Sequence, residues 1–142
     1  QGVVAVEDAM GLPSRIDYRA VPSCIYSLPE AASVGLTEEQ ARTQYGDVRI
    51  GLFSLGNNGK ALAMGDTDGF VKVIAEAKHE AVVGVHIVGP HASDLILQAV
   101  MGLQLEVTLD EWARTIQPHP ALGEAIGEAV LAALGRSLGV PN

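Results

Sequence analysis

The sequence predicts an α+β fold, in which helices cover one side of a central, mainly antiparallel sheet. Two observations indicate this class. Strand patterns are grouped in the middle of the chain, between residues 48 and 88, and helical patterns are grouped after residue 93. The chain has 142 residues, of which 48% are hydrophobic, so it is long enough to bury its own core as a single domain.

The first third of the chain contains a strand, a helix and the start of a second strand. A short strand is predicted over residues 32–36. Thr37 then stands as a candidate N-cap, and Gln40 completes a capping box, so we predict a helix from there to about Tyr45. Residues 48–55 alternate in the manner of a strand, which ends at a turn rich in Gly and Asn.

The middle and end of the chain supply a hairpin and then helices. Residues 69–75 and 82–88 are rich in β-branched side chains and are joined by a polar stretch, which predicts a β-hairpin. Apolar residues at helical spacing over 95–103 predict a helix. Thr108 opens a shorter helix, with an acidic side chain as the capping-box partner.

The last helix begins beside a histidine and carries a carboxylate in its first turn. Apolar residues recur at helical spacing from Leu122, which puts Glu124 where the helix dipole favours a negative charge. His119 lies on the preceding loop, next to Pro120. A carboxylate near one ring nitrogen fixes the tautomer and leaves the other nitrogen to take a proton from a substrate. The spacing indicates His119 and Glu124 as candidate catalytic residues, with a solvated helix face and a plain loop as the alternative interpretation.

Charge and cysteine content exclude several classes of function. The formal net charge is -8 and the 9 Lys and Arg residues do not cluster, which argues against binding to nucleic acid or to an anionic membrane. Cys24 is the single cysteine and forms no internal disulfide, so we expect a reducing compartment, either the cytoplasm or, in a eukaryote, the mitochondrial matrix. No apolar run is long enough to span a membrane. His86 and His91 have no third ligand nearby, so we predict no metal site.

Four segments, in the same order along the chain, resemble the C-terminal dimerisation domain of the pyridine nucleotide-disulfide oxidoreductases. They are residues 29–38, residues 66–72, residues 83–89, and His119-Pro120 with Glu124. The resemblance covers roughly Val21 to Leu138 and, within the family, is strongest to the dihydrolipoamide dehydrogenases. It implies a fold of the FAD/NAD-linked reductase dimerisation-domain type. Residues 1–21 would be a lead-in from a preceding FAD-binding domain, and residues 22–142 the dimerisation domain.

The resemblance also implies roles for residues near the end of the chain. His119 is similar to a base that reaches into the partner subunit's active site and deprotonates a dithiol, and Glu124 is similar to the carboxylate that orients it. It further implies a cis bond between His119 and Pro120, with this backbone near the partner's flavin. FAD, NAD and the redox-active cysteine pair would belong to the full-length protein. We therefore expect this fragment alone to bind no cofactor and to be inactive.

The reaction that the resemblance implies begins with the thiolate of dihydrolipoamide, which opens the enzyme disulfide, and electrons then pass through FAD to NAD. The expected partners are a second copy of the chain, the FAD- and NAD-binding domains of the same chain, and a protein that bears dihydrolipoamide. Three alternatives stay open. They are a glutathione reductase-like or other superfamily member, a dimerisation module in which His119 has no catalytic role, and an independent small-molecule binding module.

Two positions depart from the family's pattern. Ala121 and Gly123 stand where the family usually has Thr and Ser, which form a capping box. A helix without a capping side chain is weaker by about 0.5 to 2 kcal/mol. We therefore expect Glu124 either to be less well supported or to be freer to serve the histidine alone. Gly123, Gly127 and Gly135 fall near one face of the last helix, which predicts a close contact with another backbone, such as that of a dimer partner.

Overall fold

The computed structural model describes residues 1–138, and its centre is a five-stranded sheet. The strands are β1 (Ser23–Ile25), β2 (Glu30–Gly35), β3 (Val48–Ser54), β4 (Phe70–Glu76) and β5 (Val82–Gly89). Their order is β1-β2-β5-β4-β3, and every neighbouring pair is antiparallel. The predicted hairpin is formed by β4 and β5, and the α+β class with an antiparallel sheet is confirmed.

Helices lie on both faces of this sheet. In the described residues they are α1 (Gly2–Ala9), α2 (Glu38–Tyr45), α3 (Gly59–Met64), α4 (Ala92–Gln104), α5 (Leu109–Ala113) and α6 (Glu124–Ala133). α4 packs on β2 and β5, and α6 packs on β3 and β4, so together they enclose the core. In β4, Val71 and Val73 belong to that core, while Lys72 pairs with Glu38 of α2. Because side chains alternate across a strand, α2 lies on the opposite face, which the prediction of helices on one side omitted.

Two capping boxes begin helices as predicted. At the start of α2, Thr37 Oγ1 accepts a hydrogen bond from the Gln40 backbone N–H at 3.3 Å, and Gln40 Oε1 accepts one from the Thr37 N–H at 2.9 Å. Thr108 and Glu111 form the same reciprocal pair at the start of α5. Each box satisfies backbone donors that a helix leaves unpaired at its first turn.

The sequence patterns do not predict α1, α3 or β1. α1 buries no residue, and β1 is only 3 residues long. α3 follows the turn rich in Gly and Asn, because Asn58 is its N-cap and accepts from the Ala61 N–H. α4 begins at Ala92, earlier than the predicted stripe, where the Glu30 carboxylate accepts hydrogen bonds from the N–H and hydroxyl of Ser93.

α6 lies directly against β3. A Cβ added at Gly51 of β3 would sit 1.8 Å from the Ala129 carbonyl oxygen, so this close approach requires glycine. The predicted glycine stripe along the last helix is wrong, because Gly135 lies beyond the end of α6. It adopts a left-handed conformation with φ of +68°, and the next N–H, that of Arg136, bonds back to the Leu131 carbonyl. Gly135 therefore ends the helix and is not a contact on its face.

Candidate functional site

His119 lies on the loop between α5 and α6, and its ring is exposed. Nδ1 is 2.8 Å from Oε1 of Glu124, the first residue of α6, and 78% of the His119 side chain is open to solvent. Within residues 1–138, Nε2 has no hydrogen-bond partner. The bond between His119 and Pro120 is cis, as the resemblance implies. The fold thus brings the two predicted catalytic residues together and leaves one ring nitrogen accessible.

Both oxygens of Glu124 are bound. Oε1 contacts His119, and Oε2 accepts a hydrogen bond from the backbone N–H of Ala121 at 2.8 Å. The Ala121 N–H, followed by the His119 ring, lowers the pKa of the Glu124 carboxyl, and these contacts outweigh the opposing effect of burial. The carboxylate is therefore charged at neutral pH. A charged carboxylate favours the tautomer in which the Nδ1–H donates to it, and Nε2 then carries the free lone pair that can accept a proton.

The start of α6 lacks a capping side chain, as the departures at Ala121 and Gly123 predict. Gly123 is the N-cap of α6 and makes no side-chain hydrogen bond. We expected Glu124 either to be less well supported or to serve the histidine alone, and neither expectation fully describes it. One oxygen of the carboxylate contacts the imidazole, and the other is held by the Ala121 backbone. Since that donor is a backbone group, the support of the carboxylate does not depend on the side chain at position 121.

Asn58 also contacts the loop that carries this pair, and the sequence does not indicate it. Its Nδ2 donates to the carbonyl oxygen of Ala121 at 3.1 Å, and its Oδ1 accepts from the Ala61 N–H at 2.9 Å. Asn58 and Ala121 are 63 residues apart in the sequence, so no local spacing relates them. The one local signal is the preference for Asn at helix N-caps, which locates α3 but not the contact with the loop.

The other candidate ligands lie outside this site. His86 Nε2 is 3.0 Å from the Leu36 carbonyl oxygen. His79 and His91 each lie beside a carboxylate of their own turn. In the part of the chain that the structure describes, no three His, Cys, Asp or Glu side chains converge as a possible metal site. None of the helices there has the length and apolar character that crossing a membrane requires.

The pair can accept a proton, but the described residues contain no group for it to act on. Cys24, the single cysteine of the chain, is half-buried and packs against the core. A cleft of about 760 Å³ lies elsewhere on the surface, where Leu36, Gln40 and Tyr45 are among its lining residues and neither His119 nor Glu124 is. Any group on which the imidazole acted would have to come from another molecule or from another part of the protein.

Comparison with known proteins relates this geometry to a family. Residues 21–130 match the family described as pyridine nucleotide-disulphide oxidoreductase, dimerisation domain. The chain is 49% identical over 139 residues to a dihydrolipoyl dehydrogenase of Bacillus subtilis strain 168, a match that covers 97% of this chain and 29% of that protein. It is 46% identical over 140 residues to a dihydrolipoyl dehydrogenase of Rhizobium etli, with the same 97% and 29% coverage. The chain thus spans less than a third of the length of these curated relatives.

Solved structures share the fold. LpdA from Mycobacterium tuberculosis has a TM-score of 0.84 at 30% sequence identity, over 92% of this chain and 28% of that chain. The HOCl-induced flavoprotein disulfide reductase RclA from Escherichia coli has a TM-score of 0.82 at 23% identity, over 90% of this chain and 30% of that chain, which is a similarity of fold alone. This similarity of fold agrees with the family match over most of the chain and with the sequence identity to the curated relatives. The chain belongs to the dimerisation-domain family of the pyridine nucleotide-disulphide oxidoreductases.

Proposed function

We propose that this chain is the homodimerisation domain of a flavin-dependent disulfide oxidoreductase of the dihydrolipoamide dehydrogenase type, and that it supplies the His119–Glu124 pair to the partner subunit's active site. The observation that carries the proposal is the 2.8 Å contact between His119 Nδ1 and Glu124 Oε1, on a ring that is 78% exposed. A base that is oriented within its own chain, with nothing in residues 1–138 to act on, fits a site that another subunit completes.

The proposed role of His119 is to take a proton from a thiol of dihydrolipoamide. A thiol with a pKa near about 8.5 is mostly protonated at neutral pH, and only the thiolate attacks a disulfide. Nε2 receives the proton, and the charged carboxylate of Glu124 stabilises the imidazolium that forms. A positioned base of this kind contributes about 10²- to 10⁴-fold to the rate.

FAD and NAD belong to the part of the proposed enzyme that lies outside this chain. FAD, with NAD as the final acceptor, supplies the electron and hydride transfer. Within residues 1–138 the backbone carbonyl of His119 has no hydrogen-bond partner, so this acceptor fits an N–H donor of a flavin ring. We expect the backbone of His119 and Pro120 to lie near the partner's flavin in the full-length dimer. The isolated chain, with its single cysteine, should bind neither cofactor and show no turnover.

An exposed apolar face on α4 supports the proposed homodimer. Leu97 and Met101 of α4, followed by its C-cap residue Leu105, are spaced at intervals of four residues, and they are 62%, 51% and 73% exposed. Large apolar side chains grouped on one helix face indicate an interaction surface. The partner that we propose for this face is a second copy of the chain.

The first test replaces the base in the full-length protein. We expect His119→Gln to lower the turnover of dihydrolipoamide with NAD by about 10²-fold or more, while FAD stays bound. The same assays with glutathione and NADP separate a glutathione reductase-like enzyme from the one proposed. Unchanged turnover in His119→Gln would identify the domain as a dimerisation module without a catalytic role.

The second test determines whether the base acts in the partner subunit. One full-length variant lacks His119 and another lacks the redox-active cysteines, so neither is active by itself. Dimers that contain one copy of each variant have one complete site if the histidine acts across the two-fold axis. They have none if each subunit uses its own histidine, and mixing would then restore no turnover.

A further inference from the structure

We propose that Asn58 is a positioning residue for the His119–Glu124 pair and that it acts by holding the backbone of Ala121. The inference rests on the proposed function, since it concerns how the base is kept in place for the same reaction. Asn58 does not touch either member of the pair. Asn58 acts through the loop that connects His119 to Glu124.

Asn58 is enclosed by the fold, and both ends of its side-chain amide are used. The residue is 3% exposed. Its Oδ1 accepts from the Ala61 N–H at 2.9 Å, and its backbone N–H donates to the Leu55 carbonyl at 3.0 Å. These contacts tie Asn58 to α3 and to the residue that follows β3. They leave Nδ2 to donate to the Ala121 carbonyl at 3.1 Å.

Ala121 connects Asn58 to the proposed base. Its carbonyl accepts from Asn58, and its N–H donates to Oε2 of Glu124 at 2.8 Å. The other oxygen of Glu124 is 2.8 Å from the imidazole of His119. A continuous series of hydrogen bonds therefore runs from the buried amide to the exposed ring. A shift of the Ala121 backbone would move the carboxylate, and with it the ring.

The loop has few other polar contacts that could hold it. Pro118 and Pro120 have no N–H to donate, and Gly123 supplies no capping side chain. Leu122 is part of the core, and the carbonyls of Leu122 and Gly123 accept from the first N–H groups of α6, which are contacts local to the start of that helix. In the described fold, the side-chain hydrogen bond that reaches residues 119–123 from a distant part of the chain is the one from Asn58.

The decisive variant keeps the helix cap and removes the contact with the loop. In Asn58→Ser the hydroxyl still accepts from the Ala61 N–H, because Ser is a good N-cap residue, but no amide reaches Ala121. In the full-length protein we expect FAD to stay bound and kcat with dihydrolipoamide and NAD to fall on the order of 10-fold. KM should stay nearly unchanged, because substrate binding is not altered.

Thr37→Ala is the matched control for loss of stability. It removes the N-cap of α2, a helix that carries no part of the site, and should cost about 1 kcal/mol of stability. We expect its thermal unfolding temperature to fall, while its kcat stays at the unmodified level. A fall in kcat that simply follows stability in both variants would argue against a positioning role.

A double-mutant cycle with Glu124→Ala separates positioning from a general loss of structure. If Asn58 acts through Glu124, then Asn58→Ser should cost less than about 2-fold in kcat when Glu124 is already absent. The inference would be overturned if Asn58→Ser lowered kcat by the same factor with Glu124 present and with Glu124→Ala, or if Asn58→Ser kept full kcat. Either result would leave the proposed function intact. The proposed function has its own checks, because it fails if His119→Gln retains full turnover or if the mixed dimers restore none.

Discussion

Glu124 combines a structural and a proposed catalytic task in one carboxylate. One oxygen contacts the His119 ring, and the other accepts the N–H of Ala121 just before α6. This second contact satisfies a backbone donor at a helix start where no capping side chain is present. The negative charge also lies at the end of α6 that the helix dipole makes favourable. The carboxylate should therefore contribute to stability as well as to the proposed reaction.

The replacement Glu124→Gln should lower the free energy of unfolding by about 1 kcal/mol at neutral pH. The Ala121 N–H and the His119 ring lower the pKa of the Glu124 carboxyl in the folded chain. A lowered pKa contributes stability above the ordinary carboxyl pKa, and this contribution is lost as the pH falls through the folded-state pKa. Urea unfolding of both proteins, repeated at decreasing pH, should show a difference that shrinks toward zero in acid.

Asp66→Asn is the control for this experiment, because Asp66 is exposed on the loop before β4. Its free energy of unfolding should stay within about 0.5 kcal/mol of the unmodified protein. If the difference for Glu124→Gln remained constant across the pH range, the charge of the carboxylate would not be the source of its contribution.

The residues of the site differ in how far the sequence reveals them. His119 and Glu124 are only 5 positions apart, next to a proline and at the start of an apolar-periodic helix, so local spacing indicates the pair, and the family resemblance supports it further. Asn58 reaches the same loop from 63 residues away. That contact depends on α6 lying against β3, which brings the loop beside the start of α3. It is a product of tertiary packing and leaves no pattern in the chain.

Among the elements, the contact between α6 and β3 depends on a single glycine. A Cβ at Gly51 would lie 1.8 Å from the Ala129 carbonyl oxygen and 2.6 Å from the Ala133 nitrogen, which are backbone atoms and cannot turn aside. Since α6 begins with Glu124, any displacement of the helix also displaces one member of the pair. The close approach of helix and strand thus supports both the core and the site.

Gly51→Ala should destabilise the protein by about 2 kcal/mol or more, because the added methyl overlaps the helix backbone. Gly59→Ala is the matched control. Gly59 is the first residue of α3, and nothing lies within 4 Å of a Cβ added there. This change should be neutral or stabilising by up to about 1 kcal/mol. Urea unfolding of the two variants measures both values, and equal stabilities would show that α6 can move away from the sheet at little cost.

Elements that depend on local signals could be predicted, and those that depend on distant contacts could not. The capping boxes at Thr37 and Thr108 and the alternation in β4 and β5 are local, and all of them are present. α1 buries no residue, so no contact with the core accompanies it. α4 begins early because a carboxylate from β2 reaches its first turn, a contact across 63 residues.

The turn between β4 and β5 also depends on a contact that the sequence does not predict. The sequence indicates only a polar turn there, but Glu76 is buried, with its side chain 9% exposed. Burial acts to raise the pKa of this carboxyl, but hydrogen bonds from the backbone N–H groups of residues 81, 79 and 78 outweigh it, and the pKa is lowered. The carboxylate thus organises the turn from inside. Its burial follows from the folding of the hairpin and not from any nearby pattern.

For the whole molecule, the exposed face of α4 and the exposed imidazole both require a second subunit in the proposed function. Changing Leu97 and Met101 together to Glu should weaken the dimer of the full-length protein by about 10²-fold or more in Kd. Because the base is proposed to act in the partner, turnover should fall with the fraction of dimer. Sedimentation equilibrium and activity at matched concentrations measure the two quantities.

Val3→Glu is the control for the added charge, since Val3 is 71% exposed and lies on α1, a different helix from α4. It should leave both the dimer and turnover unchanged. A monomer of the Leu97 and Met101 variant that retains full turnover would show that each subunit uses its own histidine.

The site lies within residues 119–124, at one junction of loop and helix. It consists of the His119 imidazole, the Glu124 carboxylate and the Ala121 backbone N–H that holds the carboxylate. Each subunit therefore presents the pair already assembled, whichever surface it meets. In a hybrid dimer built from two relatives, the pH dependence of each site should follow the subunit that donates the histidine. Its reduction potential should follow the subunit that holds the cysteines, so that chimeras separate the chemistry of protons from the chemistry of electrons.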